Sequence, residues 1–167
     1  MLWASDGKLN MTTQSSISDA NRSDIASRAK GALERVCSGA GLDPSSRYYS
    51  PAFVDHVNGL KFYGLAGTQQ SIELYTKVLS DIKITVEEQL LEGNRVTSRF
   101  VVTGINHGRR VRFNGITISR FENGLIVEDW SVTDTLGLLR QLGLWRSLLV
   151  GFRQWQALRT SLSSTRN

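Results

Sequence analysis

The sequence predicts an α+β domain with helices packed on one face of an antiparallel sheet. Apolar residues recur at helical spacing in two N-terminal segments, residues 18–36 and 64–82. After Ser80 the apolar period changes to two, which is typical of strands buried on one face. Turn signals then follow at regular intervals, and no βαβ alternation is present. Helices followed by a run of strands indicate an α+β fold.

The helical part of the sequence contains two long helices and a short one between them. In the first, Ile25, Ala29 and Leu33 lie on one face. In "LDPSSRYYS", Asp43 is predicted to cap a short helix that has Pro44 in its first turn. The stretch "AFVDHV" is extended, and "GLAGTQQSIELYTKVLSDI" is the second long helix.

Four strands are predicted in the second half, separated by the turn signals "EGN", "HGRR" and "ENG". With "GN" and "NG" at the hairpin tips, Glu88 is expected to face Arg99, and Ile118 to face Asp129. The face expected to meet the helices holds Ile82, Ile84, Val86, Arg99, Val101, Asn114, Ile116, Ile118, Arg120, Val127 and Asp129. The outer face is expected to hold Phe100, Val102, Phe113, Thr117, Glu128, Trp130, Val132 and Asp134.

Composition indicates a soluble, cytoplasmic protein. A single cysteine, Cys37, excludes an internal disulfide framework and suits a reducing compartment. The N-terminus has no apolar run of signal-peptide length, and no stretch is long and apolar enough to span a membrane.

The net charge of +5 comes from the C-terminal end of the chain. Residues 1–139 hold 15 basic and 15 acidic residues, whereas residues 140–167 hold five arginines and no acidic residue. A nucleic-acid-binding domain would carry its basic residues on the domain itself, so a nucleic-acid partner is not expected.

Three segments follow from these patterns: a polar, disordered segment 1–17, a domain 18–143, and a tail 144–167. In the tail, large apolar residues from Trp145 to Trp155 share one helical face, while Arg146 and Arg153 lie on another. We expect this basic amphipathic helix to pack on its own domain or on a partner subunit. Contact with a membrane surface is the less favoured alternative.

Several motifs between Ala32 and Gly143 resemble the SnoaL-like polyketide cyclases of the nuclear transport factor 2-like superfamily. They are "YYSPAFVDHV", "SDIKITVEEQLLEGNRVTSRFVVTGINHG", "VRFNGITISRFENGLIVEDW" and "DTLGLLRQLG". The resemblance implies a cone-shaped α+β barrel, a curved sheet closed by helices around a pocket. It also implies that Asp134 acts as acid/base in an intramolecular aldol closure. Where family members often read Glu-His-Trp, this chain has Glu128-Asp129-Trp130.

Asp129 and Asp134 are the predicted catalytic residues. A carboxyl group in an apolar pocket has a raised pKa. A second carboxyl group nearby moves the two pKa values apart, so that one group acts as the acid and the other as the base. Arg99 or Arg120 would determine which of the two carboxyl groups is the acid and which is the base. Two other interpretations remain open: Asp134 caps the helix "TLGLLRQLG", and Asp129 forms a structural ion pair with Arg120.

The remaining candidate site residues are polar or aromatic side chains expected at the pocket. The resemblance places His56 at the cavity wall, and aromatic residues suit a flat apolar ligand, although each of them could equally be core. Two isolated histidines do not make a metal site, and neither a metal nor a cofactor is expected. The predicted substrate-binding residues are His56, Trp130, Arg99, Arg120, Asn114, Tyr48, Tyr49 and Phe53.

The predicted function is cofactor-independent acid/base chemistry, as in a cyclase or isomerase, on a hydrophobic substrate such as a polyketide. One alternative is an epoxide hydrolase that uses Arg99, Asp129 and Asp134. Another is a protein that binds a small ligand without catalysis. A homodimer is expected through the outer sheet face, where Phe100, Phe113, Phe121 and Trp130 would be costly to expose.

Overall fold

Helices and one sheet make up the part of the chain that the computed structural model describes, residues 19–40 and 46–143. In this part of the chain, three helices, the first of them continued by a π-helical segment, accompany six strands. The α+β prediction is confirmed. The elements are α1 (Asp19–Gly31, continued as a π-helical segment, Ala32–Ala40), β1 (Tyr49–Val57), β2 (Leu60–Tyr63), α2 (Gly64–Thr76), β3 (Ser80–Glu92), β4 (Arg95–Asn106), β5 (Arg109–Glu122), β6 (Leu125–Thr133) and α3 (Thr135–Gln141).

The strands lie in the order β2-β1-β6-β5-β4-β3. Strands β3 to β6 form the predicted antiparallel meander. The extended stretch around His56 is not isolated, because β1 joins the sheet in parallel with β6 and pairs with β2 in a hairpin. This parallel pairing brings the first strand of the chain beside the last one, and the sequence alone did not predict it.

The predicted hairpin tips are confirmed, because Gly93-Asn94 connects Glu92 to its partner Arg95 and Asn123-Gly124 connects Glu122 to its partner Leu125. His107 and Gly108 both have positive φ, as do Asn123 and Gly124. Two consecutive residues with positive φ form the type I′ turn, whose twist matches that of the strands. These turns fix which residues face each other at the start of each hairpin.

A bulge in β3 makes part of the predicted face assignment wrong. Glu88 does face Arg99 as predicted, but Val86 faces Phe100 because Glu87 is an extra residue in the strand. A one-residue shift sends every later side chain of the pair to the opposite face. Ile84 and Val86 therefore share a face with Phe100, and Arg99 points away from it.

A second bulge, which lies in β6, makes the predicted pairing of Ile118 with Asp129 wrong. Arg120 pairs with Glu128 rather than Val127, so Asp129 lies opposite Ser119 and Ile118 lies opposite Trp130. The inner, helix-covered face holds Ile82, Ile84, Val86, Phe100, Val102, Phe113, Thr117 and Asp129, and the outer face holds Arg99, Asn114, Ile116, Ile118, Arg120, Glu128, Trp130 and Val132.

The inner face and the helices form the core. One cluster joins α1 to β1 and includes Tyr49, Phe53, Val96, Phe121 and Ile126. The other lies under the π-helical segment and includes Leu79, Phe100, Phe113 and Leu138. Phe100, Phe113 and Phe121, predicted to be exposed at a dimer interface, are therefore buried in the subunit itself, each less than 5% exposed.

The first helix also covers the edge strand β3. Glu34 accepts a hydrogen bond from the backbone N–H of Val86 at 3.0 Å, and Ser38 accepts one from that of Ile84 at 3.1 Å. Edge strands expose unpaired backbone groups that attract other strands. Here the helix satisfies two of these groups and is thereby fixed to the sheet.

Three predictions fall outside the described residues: the disordered segment 1–17, the cap formed by Asp43 with Pro44, and the amphipathic tail 144–167. Among the described helices, none is long and apolar enough to cross a membrane.

Candidate active site

A pocket lies between the inner face of the sheet and the helices. Its empty volume, counted together with the space at its mouth that is open to solvent, is about 630 Å³. The walls are mainly apolar, with a few polar groups at the β1–β6 side. The lining residues are Cys37, Tyr49, Asp55, Val57, Thr68, Ser71, Ile72, Tyr75, Ile82, Ile84, Phe100, Val102, Asp129, Ser131 and Thr133.

Two carboxyl groups, those of Asp55 and Asp129, meet in this pocket. The parallel register of β1 and β6 places the two residues directly beside each other. Both are buried, with 8% and 5% of the residue exposed. The pair exists because of the bulge in β6, which turns Asp129 to the same side as Phe53, Asp55 and Val57 of β1.

The environment of Asp129 favours its neutral form. Burial raises the pKa of Asp129 well above its usual range, the negative charge of Asp55 raises it further, and a hydrogen bond with Ser119 lowers it. One oxygen, Oδ1, is buried without a hydrogen-bond partner among the described residues. An unsatisfied buried oxygen is costly, so this oxygen is available to accept a hydrogen bond from a water molecule or a ligand in the pocket.

Asp55 titrates in a more accessible range. Burial raises the pKa of Asp55 to about 6, while a hydrogen bond with Ser71 and the nearby charge of His56 lower it. The Ser71 hydroxyl also lies 2.9 Å from the carbonyl oxygen of Thr68. It has a single proton, so it can donate either to that carbonyl or to Asp55. Ser71 can therefore adapt to either protonation state of the carboxyl group.

Tyr49 and Cys37 add neutral groups to the same wall. The Cys37 sulfur lies 3.9 Å from the Tyr49 hydroxyl. Burial is the largest cause that raises the pKa of Cys37 to about 12 and the pKa of Tyr49 well above its usual value. Cys37 is therefore a thiol and not a nucleophilic thiolate, and Tyr49 is a neutral hydroxyl that can donate a hydrogen bond.

A network of three side chains closes another part of the wall. The Tyr75 hydroxyl lies 2.9 Å from the Thr133 hydroxyl, and the side-chain amide of Asn58 donates to both, at 3.2 Å and 2.8 Å. These bonds connect α2, the β1–β2 turn and the end of β6. They fix Tyr75 and Thr133 as polar groups with defined positions in a mostly apolar pocket.

Asp134 does not lie in the pocket. It is exposed, and its Oδ1 accepts a hydrogen bond of 2.8 Å from the backbone N–H of Gly137, which caps α3. The structure therefore agrees with the capping interpretation of this residue and places its carboxyl group away from Asp129.

His56, Trp130 and Arg120 lie on the outer face. His56 Nε2 is 2.9 Å from Glu128 Oε1, and the imidazole stacks on Trp130 with ring centroids 5.5 Å apart. Arg120 donates to the other oxygen of Glu128 at 3.0 Å. The hydrogen bond with His56 is the largest cause that lowers the pKa of Glu128, and Arg120 adds to it. The predicted ion pair of Arg120 is thus formed with Glu128 and not with Asp129.

The other candidates divide between the outer face and the core. Arg99 is exposed and bonded to Glu87 and Glu88, at 2.5 Å and 3.1 Å. Asn114 is also exposed. Phe53 is only 1% exposed and packs against Tyr49, while Tyr48 packs on the same core cluster. Of the ten predicted site residues, Tyr49 and Asp129 line the pocket.

Sequence reasoning missed Asp55, although a signal for it existed. Phe53, Asp55 and Val57 alternate with Val54 and His56, so a strand that buries Phe53 also buries Asp55. If "AFVDHV" is recognised as a strand of the sheet, the candidate pocket residue becomes Asp55 in place of His56. Ser71, Tyr75 and Thr133 carried no comparable signal, because their roles depend on which face each element buries.

The described part of the chain offers no arrangement for a metal ion. In residues 19–40 and 46–143, no three His, Cys, Asp or Glu side chains group in a way that could hold a cation. None of the described lining residues is Lys or Arg. Within residues 19–40 and 46–143, the two carboxyl groups therefore lie side by side in the pocket without a positively charged lining residue.

Comparison with known proteins identifies the same fold. A model of the SnoaL-like polyketide cyclase family matches residues 27–142. No curated protein sequence matches the chain. A candidate polyketide cyclase from Bacillus cereus has 26% identity and a TM-score of 0.66, covering 77% of this chain and 87% of that one.

Two Streptomyces structures are also similar. AclR, a candidate hydroxylase from Streptomyces galilaeus, has 25% identity and a TM-score of 0.61, covering 75% of this chain and 98% of that one. IdmH, a candidate polyketide cyclase from Streptomyces antibioticus, has 22% identity and a TM-score of 0.64, covering 71% and 98%. At that identity the likeness to IdmH shows the fold alone.

Proposed function

As the chain belongs to the SnoaL-like polyketide cyclase family, we propose that it is a cofactor-independent enzyme that moves protons on a hydrophobic small molecule, as a cyclase or isomerase does. Asp129 is the group that we place at the reacting atoms. Two finer reactions are considered, an intramolecular aldol closure and the shift of a double bond. Both begin with removal of a proton from the carbon next to a carbonyl group.

The observation that carries this proposal is the buried carboxyl group of Asp129 in a mostly apolar pocket. Its Oδ1 has no hydrogen-bond partner among the described residues. Burial raises the pKa of Asp129, which keeps a proton available near neutral pH. General acid/base groups work best when their pKa lies near the working pH.

The chemistry requires few other groups. A base removes a proton from the carbon beside a carbonyl, and the electron pair moves onto the carbonyl oxygen to give an enolate or enol. In ring closure that carbon then attacks a second carbonyl of the same molecule, and the resulting alkoxide takes up a proton. In isomerisation the proton returns to a different carbon. Neither path consumes an oxidant or a metal.

The pocket favours a neutral substrate. Its walls are formed mainly by Ile72, Ile82, Ile84, Phe100 and Val102. No described lining residue carries a positive charge, and burying an unpaired anion is costly. A carboxylate or phosphate on the reacting part of the substrate would meet two carboxyl groups. An apolar ketone or a poly-ketone chain suits these walls.

The epoxide hydrolase alternative is not favoured by the geometry. It needs an arginine between two aspartates, but Arg99 and Asp134 lie away from Asp129 and outside the pocket. Binding without catalysis stays an alternative that the following experiment tests.

The experiment measures exchange of the acidic C1 protons of 2-tetralone, a bicyclic ketone, in D₂O by proton NMR. We expect the wild-type protein to accelerate exchange over buffer at the same pH. Asp129→Asn should lower the accelerated rate at least about tenfold, the lower end of general acid/base effects. Asp134→Asn is the matched control, because asparagine also caps helices, and it should stay within about twofold of wild type.

Two results would contradict the proposal. One is a wild-type rate no faster than buffer at saturating 2-tetralone, with binding shown by shifted protein resonances, which would indicate binding without catalysis. The other is an Asp129→Asn rate equal to that of wild type, which would place the chemistry elsewhere.

A further inference from the structure

We propose that Asp55 is a second catalytic residue of this pocket: its carboxylate removes the proton from carbon, while protonated Asp129 donates a hydrogen bond to the carbonyl oxygen. This inference rests on the proposed function and narrows the substrate to a neutral molecule with a C–H next to a carbonyl. Asp55 did not arise as a candidate from the sequence or the family resemblance.

Asp55 and Asp129 are positioned to contact one ligand together. Asp55 and Asp129 occupy paired positions of the parallel strands β1 and β6, and both side chains line the pocket. Neighbouring strands lie about 4.8 Å apart, so a ligand oxygen and the adjacent carbon can reach different carboxyl groups at once. A single carboxyl group would have to serve both atoms in turn.

The charges of the two carboxyl groups are coupled. Two carboxylates this close, buried and without a cation among the described lining residues, cannot both be ionised near neutral pH. The pair therefore holds one proton and one negative charge. It therefore contains an acid and a base at the same moment. The reaction requires both, because the base removes the proton from carbon while the acid stabilises the enolate oxygen.

The surroundings of the two carboxyl groups favour the proton on Asp129. Asp129 is the more deeply buried, and its Oδ1 has no hydrogen-bond partner within the described part of the chain, so its charged form is the less stabilised. Asp55 lies beside the Ser71 hydroxyl and near His56, both of which favour its charged form. Ionisation of Asp55 before Asp129 follows from these contacts.

The other groups around the pair do not change this order. Cys37 from the π-helical segment and Tyr49 from β1 stay neutral, because burial raises the pKa of each. Burial also raises the pKa of Tyr75 on α2, so this hydroxyl is neutral too. Ser119 on β5 contributes a hydrogen bond to Asp129. His56 is the cationic candidate nearest to Asp55, and it is bonded to Glu128 on the outer face.

The proposed step is balanced. The carbon–hydrogen bond breaks, its proton bonds to Asp55, and its electron pair forms the carbon–carbon double bond of the enolate. The negative charge moves from Asp55 to the carbonyl oxygen, where the hydrogen bond from Asp129 stabilises it. Return of the proton from Asp55 to carbon restores the starting state, so the pair is a catalyst.

The test has a part that does not depend on activity. The carboxyl carbons of ¹³C-labelled aspartate are titrated by NMR, and Asp55→Asn and Asp129→Asn assign the two resonances. We expect Asp55 to ionise with a midpoint near 6, while Asp129 is still protonated at pH 7. In Asp55→Asn, Asp129 should ionise at a lower pH than in wild type, because the neighbouring charge has gone. Ionisation of Asp129 before Asp55 would overturn the assignment.

The kinetic part uses the 2-tetralone exchange. Asp55→Asn should lower the accelerated rate about 100-fold or more, since an amide cannot take the proton. Asp129→Asn should lower it about tenfold, since an amide N–H still donates a hydrogen bond. If Asp129→Asn alone is inactive and Asp55→Asn is within twofold of wild type, this inference fails and the proposed function stands. If the titration is as expected but wild type gives no exchange, the proposed function fails instead.

Discussion

At the scale of single residues, the two pocket carboxyl groups reduce the stability of the fold. Burial raises the pKa of Asp55 from its ordinary value of 3.8 to about 6, so the folded protein binds more protons than the unfolded chain between these values. The free energy of unfolding therefore falls as pH rises through this window. A pKa difference of about 2 corresponds to about 3 kcal/mol as an upper bound.

This linkage predicts that Asp55→Asn stabilises the protein at pH 7.5 and not at pH 3.5. The amide carries no charge to bury, so the melting temperature should rise at the higher pH by an amount worth about 1–3 kcal/mol. Thermal unfolding followed by circular dichroism at both values of pH measures it. Asp134→Asn is the control, and an equal change at both pH values would contradict the linkage.

Asp134 is predicted to contribute to stability and not to proton transfer. Asp134→Ala removes the hydrogen bond to the Gly137 N–H and should lower the free energy of unfolding by about 1 kcal/mol, the usual value for a helix cap. Urea denaturation gives this number, and the 2-tetralone exchange rate of the folded variant should equal that of wild type. A loss of exchange without a loss of stability would return Asp134 to the catalytic site.

At the scale of secondary structure, the hairpin tips could be predicted, whereas the bulges could not. Turn residues such as Asn123-Gly124 carry their own conformational preference in the sequence. The extra residues Glu87 and Val127 resemble ordinary strand residues and are bulged because of how helices and neighbouring strands pack. The missed bulge in β3 was enough to place Phe100 outside and Arg99 inside, the reverse of the observed faces.

Gly115 gives a direct test of the register between β4 and β5. It faces Phe100, and a Cβ at this position would lie 2.6 Å from Cε2 of that ring. Gly115→Ala should therefore destabilise the protein by about 1–3 kcal/mol. Adding Phe100→Leu should recover part of this loss.

The recovery appears as a non-additive free energy in a double-mutant cycle measured with urea. Additive losses from the two changes would show that Gly115 and Phe100 are not in contact and that the register is wrong.

At the scale of the whole molecule, the site could be predicted only in part. Asp129 came from the sequence because a carboxyl group stands out in an apolar strand, and Tyr49 came as an aromatic residue suited to a flat apolar ligand. Asp55 did not, because the parallel pairing of β1 with β6 joins distant parts of the chain. His56 was chosen in its place, although it is the neighbour that points outward.

A homodimer through the outer face stays a prediction, now with different residues. Ile116 and Val132 are paired across β5 and β6 and are 47% and 66% exposed. Exposed apolar side chains that lie together favour an interface. We expect a dimer mass in light scattering for wild type and a monomer mass for Val132→Lys.

Leu74→Lys is the matched control, since Leu74 is 43% exposed on α2, away from that face. It should keep the dimer mass. A wild-type monomer at micromolar concentration, or a Val132→Lys dimer, would contradict an interface at this position.

The pH dependence of 2-tetralone exchange tests most directly whether the Asp55–Asp129 pair performs proton transfer. We expect the protein-catalysed rate to rise through about pH 6, as Asp55 ionises, and then to reach a plateau while Asp129 is still protonated. The plateau should be absent in Asp55→Asn. A rate that increases in proportion to hydroxide over the whole range, and equally in both proteins, would contradict it.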